Sequence, residues 1–126
     1  MRVFINIKIK RWIHKNGILD TALCHIAKEV VEGKVEADLG GGLFKKYLPR
    51  TGEGKQGGYR VLIGYKRPNV ERIIFLYAFA KKDKANISYR EEAVLGIAAE
   101  NFISANDEQI TELLATELLW EVQCYE

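Results

Sequence analysis

The residues with the clearest capacity for chemistry are the cations between positions 45 and 90. This stretch contains twelve Lys and Arg residues but only three acidic residues, and tyrosine and phenylalanine side chains are interleaved with them. Cations bind phosphates and aromatic rings stack on bases, so the pattern predicts a single-stranded RNA ligand. The alternative is that these cations only keep strand edges and turns soluble. That alternative explains Lys66, Arg67 and Arg72 better than Arg60, which lies within a predicted strand.

Charge is divided unevenly along the chain. Residues 1–90 contain all 19 Lys and Arg and 8 of the 17 acidic residues, whereas residues 91–126 contain the other 9 acids and no base. The net charge of +2 therefore conceals a basic part that can bind a polyanion and an acidic part. The alternative is a chance clustering of charges on solvated faces.

The composition limits the classes of protein that remain. With 126 residues and 48% hydrophobic residues, the chain can form one domain with a core. Its start lacks the continuous apolar stretch of a signal peptide, and no apolar run reaches the roughly 18 residues of a membrane span. Cys24 and Cys124 are far apart, and the chain has two histidines, which argues against a metal enzyme. We therefore expect a cytoplasmic protein with free thiols and no metal or cofactor.

Hydrophobic periodicity predicts the elements of the first 80 residues. A period-2 strand begins at Val3 and has an ambiguous boundary with a helix near Ile9. A helix with Asp20 as N-cap ends at Gly33. Three strands follow: one at 43–48, one that begins at Tyr59, and one at 72–80. The third is apolar on both faces and is therefore predicted to be central, with Ile73, Phe75, Tyr77 and Phe79 sharing one face.

The last 40 residues predict two helices and a short end element. Ser88 with Glu91 and Asn106 with Gln109 have the spacing of capping boxes, and residues 118–122 fit either a strand or a helix end. The predicted fold class is α+β, with helices packed on one antiparallel sheet. We expect a single domain over residues 1–126, of which about 104–126 form an acidic C-terminal extension.

A glycine-rich segment imitates a dinucleotide-binding motif. Residues 52–57 spell G-x-G-x-x-G, but that motif requires a helix after it. Here strand-forming residues follow from Tyr59, so the interpretation is rejected.

Three runs carry a resemblance to a known family: LGGGLFKK at 39–46, GEGKQGGYR at 52–60 and FAKKDKANI at 79–87. Together they resemble the RelE/HigB-type toxins of bacterial type II toxin–antitoxin systems. The resemblance implies a small α+β toxin that enters the ribosomal A site and cleaves messenger RNA without metal or cofactor. In that reaction the RNA 2′-OH attacks the adjacent phosphate. It also implies a cognate helix-turn-helix antitoxin, and the complex would bind promoter DNA only through this antitoxin. The expected location is the cytoplasm, without membrane association.

The resemblance also implies roles for individual residues. Arg60 matches the Gly-Tyr-Arg strand and is the expected phosphate stabiliser. On the preceding strand, Lys46 is preferred over Lys45 as a catalytic residue. Lys81 and Lys82 are expected as a phosphate clamp or general acid. The general base is left open between a lysine and a tyrosine. Six residues are expected to bind RNA or the ribosome: Lys45, Arg50, Lys55, Lys84, Tyr77 and Tyr89.

Two other functions fit the sequence. One is a ParE-like toxin, which has a related fold, is not a nuclease and acts on DNA gyrase. The other is a non-catalytic RNA-binding module. The basic residues around the predicted sheet favour the nuclease.

Overall fold

The computed structural model of the protein describes residues 1–49, 57–66 and 71–125. Within these residues the chain forms four α-helices and a six-stranded sheet with strand order β2-β3-β4-β5-β1-β6. All neighbouring strands are antiparallel except β1 and β5, which are parallel. The predicted α+β fold is confirmed. The elements are β1 (Arg2–Asn6), α1 (Ile7–Lys15), α2 (Asp20–Val31), β2 (Ala37–Gly40), β3 (Leu43–Leu48), β4 (Tyr59–Gly64), β5 (Arg72–Ala80), α3 (Tyr89–Ser104), α4 (Asp107–Ala115) and β6 (Leu119–Val122).

Side-chain capping explains where α1, α3 and α4 begin. The Asn6 side chain accepts a hydrogen bond from the Lys8 N–H at 2.9 Å, so β1 stops there and α1 starts at once. Helix α2 begins at Asp20 with Leu19 as its N-cap, one residue before the expected cap. Both predicted capping boxes of α3 and α4 are formed. No helix in the described part of the chain is long and apolar enough to cross a membrane.

The sheet lies between two layers of helices. One apolar cluster joins α1 and α2 to one sheet face, through residues such as Leu23, Ile26, Val61 and Ile73. A second cluster joins α3 and α4 to the other face, through residues such as Leu43, Leu62, Ala99, Phe102 and Ile110. Strand β5 has buried residues on both sides and lies inside the sheet, as its sequence predicted.

A register shift between β4 and β5 changes which residues of β5 share a face. Leu62 is opposite Tyr77 while the next residue, Ile63, is opposite Phe75, so Leu76 is an extra residue on β5. Ile73 and Phe75 belong to the α1/α2 cluster, but Phe79 belongs to the α3/α4 cluster. The prediction that Ile73, Phe75, Tyr77 and Phe79 share one face is therefore wrong. The bulge moves the second half of the strand to the opposite face.

The two ends of the chain meet on the sheet. Strand β6 pairs with β1, so residues 118–122 end as a strand rather than a helix. Arg2 donates two hydrogen bonds of 2.9 Å to the Glu121 carboxylate, and this contact keeps the pKa of Glu121 below its ordinary value. The Lys10 ammonium lies 3.1 Å from the centre of the Trp120 ring.

The cysteines differ from the sequence-based expectation. Cys24 on α2 and Cys124, which follows β6, form a disulfide across 100 residues of sequence. The expectation of free thiols is wrong because β6, by pairing with β1, brings the end of the chain beside α2. The disulfide holds this end against the layer formed by α1 and α2.

We expect reduction of this disulfide to lower the thermal unfolding midpoint. A cross-link that closes a loop of 100 residues stabilises the folded state by about 4.7 kcal/mol in the chain-entropy model. Thermal unfolding followed by circular dichroism, with and without a reductant, measures the change. The Cys24→Ser variant is the control, because the reductant should leave its midpoint unchanged. If the reductant leaves the midpoint of the wild-type chain unchanged, the prediction is contradicted.

Arg72 completes the C-terminal end of α3, which has no basic residue in its last turn. Its Nη2 donates to the Phe102 carbonyl at 3.0 Å and to the Ala105 carbonyl, and its Nη1 is 3.8 Å from the Asp107 carboxylate. A cation that binds the last carbonyls of a helix satisfies them and opposes the negative end of the helix dipole. Arg72 therefore has a structural role, and the interpretation of this residue as a solubilising charge is wrong.

The Arg72→Met variant should lose about 1–3 kcal/mol of unfolding free energy, since hydrogen bonds from a charged donor are removed from carbonyls at a half-buried site. Urea denaturation measures this loss. Arg11→Met, at an exposed position in the middle of α1, is the matched control and should change stability little. Equal stability of the two variants would show that Arg72 does not cap α3.

Candidate functional site

Arg60 lies in the middle of a row of side chains that crosses three strands. It is opposite Tyr47 on β3 and Phe79 on β5, and directly opposed residues of antiparallel strands share a face. Its guanidinium carbon is 4.8 Å from the centre of the Tyr47 ring, and its Nη1 donates to the Gly57 carbonyl at 3.3 Å. Only 7% of the residue is exposed. The arginine is therefore held in one orientation within the sheet surface.

A carboxylate joins Arg60 to a second cation. The Oε2 atom of Glu36 lies 2.8 Å from Arg60 Nε, and Oε1 of the same group lies 3.9 Å from Lys45 Nζ. Lys45 Nζ is also 3.4 Å from the Asn86 side-chain oxygen. Glu36 precedes β2, and its backbone N–H donates to the Lys45 carbonyl at 2.8 Å, so the β2–β3 pairing places the carboxylate.

Lys46 lies on the other face of the sheet. It is opposite Val61, a residue of the α1/α2 cluster, and its Nζ is 3.6 Å from the Glu29 carboxylate on α2. The expectation that Lys46 and Arg60 share one patch is wrong, because successive residues of a strand point to opposite faces. Lys45 is the lysine of β3 that accompanies Arg60.

A third cation extends the site along β5. Tyr77 is opposite Leu62, in the row next to Arg60, and Lys84 Nζ lies 3.4 Å from the Tyr77 hydroxyl. Lys84 also forms an ion pair with Glu91 in the first turn of α3. We call the surface formed by these cations and rings the Arg60 face. Its members are Lys45, Tyr47, Arg60, Tyr77, Phe79 and Lys84.

The remaining predicted site residues lie at different places. Lys81 directly follows β5, and its ammonium donates a hydrogen bond to the Ala85 carbonyl. Lys82 is exposed in the same turn. Tyr89 is the first residue of α3 and is 94% exposed. Arg50 and Lys55 lie outside the described residues.

An open groove of about 800 Å³ adjoins Tyr77 and Lys84. Its floor is the second half of β5, and its walls come from α1, through Ile9 and Trp12, and from α3, through Val94. The groove exists because β1 pairs with β5 only as far as Phe75. Beyond that point helix α1, rather than a strand, lies beside β5.

Gly58 permits the close approach of β3 and β4 beside Arg60. Its φ is +65°, and a Cβ at this position would lie 2.8 Å from the Leu48 carbonyl oxygen and 2.9 Å from Tyr47 Cε2. A side chain would therefore strain the backbone and displace the ring beneath the guanidinium. This explains why the Gly-Tyr-Arg run begins with glycine.

Sequence reasoning missed Glu36, Tyr47 and Asn86. Tyr47 could have been found, because it is two residues from Lys45 and therefore on the same face. Glu36 and Asn86 carry no local signal, since the β2–β3 hairpin and the turn before α3 bring them to the site. Among the described residues, no group of three or more His, Cys, Asp and Glu side chains could hold a metal ion.

The comparison with known families agrees with this fold. A family model described as the RelE toxin of the RelE/RelB toxin–antitoxin system matches residues 1–122. The protein is therefore a toxin of the toxin–antitoxin class, and this class implies a cognate antitoxin as its partner. The chain belongs to the RelE toxin family. No curated protein matches it.

The Lys84–Glu91 pair predicts a specific dependence of stability on pH. The Lys84 ammonium, together with the Ser88 N–H, lowers the pKa of Glu91 from its ordinary 4.5 to about 2. A carboxyl group whose pKa is lower in the folded state stabilises that state above the unfolded pKa, and this stabilisation is lost as the pH falls towards the folded pKa.

The Glu91→Gln variant should therefore unfold at a lower temperature than the wild-type chain above about pH 5. The difference should shrink as the pH falls from 4.5 towards 2. Melting curves across this range measure it. Glutamine can still accept the Ser88 N–H bond, so the helix cap is kept. The control is Glu100→Gln on the exposed side of α3. A difference that stays constant with pH would contradict the predicted role of the charge.

Proposed function

We propose that this toxin is a ribosome-dependent endoribonuclease that cleaves messenger RNA without a metal ion and so blocks translation. The observation that carries the proposal is the presence of Lys45 and Arg60 on one face, flanked by the rings of Tyr47, Phe79 and Tyr77. Cations can bind the scissile phosphate while neighbouring rings stack on bases. Membership of the RelE family supports the activity.

The reaction requires no group beyond the RNA and the side chains. The 2′-oxygen attacks the adjacent phosphorus as its proton passes to a base. The bond from phosphorus to the 5′-oxygen then breaks, and that oxygen takes up a proton, leaving a cyclic phosphate and a 5′-OH. Negative charge grows on the phosphate oxygens in the transition state, and we assign its stabilisation to Arg60 and Lys45.

Two groups are candidates for moving the protons. Tyr77 lies in the row next to Arg60, and its hydroxyl is 3.4 Å from the Lys84 ammonium, so the two groups are within hydrogen-bond distance. Lys81 is the alternative, at the end of the same strand. Lys82, Lys84 and Tyr89 are proposed as contacts to RNA or ribosome.

The proposal includes the partners and the location. We propose that the antitoxin is a helix-turn-helix protein, that the complex reaches promoter DNA through it, and that the toxin acts in the cytoplasm. The cytoplasm keeps thiols reduced. Neither cysteine of the disulfide belongs to the Arg60 face, so the reduced protein also fits this location.

The test is cleavage of a reporter messenger RNA by the purified toxin in a translating extract, with 5′ ends mapped in the presence and absence of ribosomes. The wild-type chain should cut only when ribosomes translate. Arg60→Ala should lower the cleavage rate by roughly 100-fold or more, because one charged donor to the transition state is removed. Arg60→Lys keeps a charge, which makes it the second variant if the alanine variant unfolds.

Lys46→Ala is the matched control, since it removes a cation from the opposite face. It should retain most of the activity. Cuts in naked RNA would instead indicate a free ribonuclease. Growth arrest in cells without any cleavage would favour the gyrase-directed alternative, and salt-dependent RNA binding without cleavage would favour a binding module.

A further inference from the structure

We propose that Glu36 is a positioning residue that sets the orientation of Arg60 and Lys45 for the scissile phosphate. This inference rests on the proposed function. Glu36 would not contact the RNA or take part in proton transfer. It would act through the two cations that its carboxylate joins.

The first support is the burial of Arg60. Arg60 is only 7% exposed as a residue, so its buried charge needs a nearby anion and hydrogen bonds in place of water. The Glu36 carboxylate is 2.8 Å from Nε, and the Gly57 carbonyl accepts from Nη1 at 3.3 Å. The guanidinium is planar, so the hydrogen bond at Nη1, together with the ion-pair contact of Glu36 beside Nε, restrains the orientation of the whole group.

The second support is that one carboxylate serves both cations. Its Oε1 lies 3.9 Å from Lys45 Nζ while Oε2 is at Arg60. Two cations on neighbouring strands repel each other, and an anion between them lowers that repulsion. The carboxylate therefore keeps both charges on the same small area of the sheet, where one phosphate could contact both.

The third support is the way the backbone places Glu36. Its N–H donates to the carbonyl of Lys45 itself at 2.8 Å, so the β2–β3 hairpin links the carboxylate to the residue it orients. The Cα of Ala37, the next residue, is opposite that of Lys45 in the hairpin register. The position of Glu36 is thus fixed by strand pairing rather than by a flexible loop.

The experiment compares Glu36→Gln with the wild-type chain in the translating extract, measuring kcat and KM for the reporter messenger RNA together with the melting temperature. Glutamine keeps the size of the side chain and removes its charge. We expect kcat to fall by about 10- to 100-fold with little change in KM, because misplaced cations act mainly on the transition state. Glu36→Asp keeps the charge at a shorter reach and should retain more activity than the glutamine variant.

Glu29→Gln is the matched control. Glu29 pairs with Lys46 at 3.6 Å on the opposite face, so its loss removes a similar ion pair away from the Arg60 face. It should leave kcat unchanged. In addition, Glu36→Gln should cause a smaller further fall in an Arg60→Lys background than in the wild-type chain, because the part of its effect that acts through the Arg60 guanidinium is already lost and only the part through Lys45 remains.

The outcomes separate this inference from the proposed function. If Arg60→Ala is inactive while Glu36→Gln cuts at the wild-type rate, the inference is overturned and the nuclease proposal stands. If Glu36→Gln is faster than the wild-type chain, Glu36 restrains Arg60 rather than positions it, and the inference is also overturned. If a lower melting temperature accounts for the activity that Glu36→Gln loses, and Glu36→Asp restores neither stability nor activity, Glu36 has a structural role only and the inference is overturned. Full activity of a folded Arg60→Ala variant would overturn both proposals.

Discussion

The register shift between β4 and β5 is the constraint on which the site depends. One extra residue, Leu76, turns the second half of β5 over, so that Tyr77 and Phe79 lie on the same face as Arg60. Without it, a strict period of two would direct both rings into the layer formed by α1 and α2. Bulges often redirect side chains next to functional sites. Here a backbone irregularity, rather than any single side chain, surrounds Arg60 with aromatic rings.

The uneven charge of the sequence serves the fold as well as the site. Several acids of the last 36 residues pair with cations from the basic part, as Glu121 does with Arg2 and Glu91 with Lys84. These pairs join the C-terminal elements to the sheet. Two cations of the Arg60 face, Arg60 and Lys45, are balanced differently, because they share Glu36 from their own half of the chain. The carboxylate that contacts both of them therefore comes from outside the acidic end.

Several local features could be predicted from the sequence because each depends on residues close together in the chain. The bounds of β3 and β5 follow from their apolar residues and flanking turns, and both capping boxes follow from polar residues three positions apart. The choice of Arg60 as the residue of interest came from its place within a predicted strand and from the resemblance of the Gly-Tyr-Arg run at 58–60 to the RelE strand. Its function as a catalytic group stays a prediction.

Other features depend on contacts between distant parts of the chain. The choice of Lys46 over Lys45 was wrong about the face, because residue type alone does not say which side of β3 is paired with Arg60. Free thiols were expected because nothing near Cys24 indicates that β6 returns to the edge of the sheet. Glu36 was missed because its partners come from the β2–β3 hairpin and from β4. The sequence by itself determined most of the elements, though not β2, and the basic, aromatic character of the site. Only the tertiary structure decided which cations, rings and carboxylate meet, because strand register and pairing order are set by packing over the whole sheet.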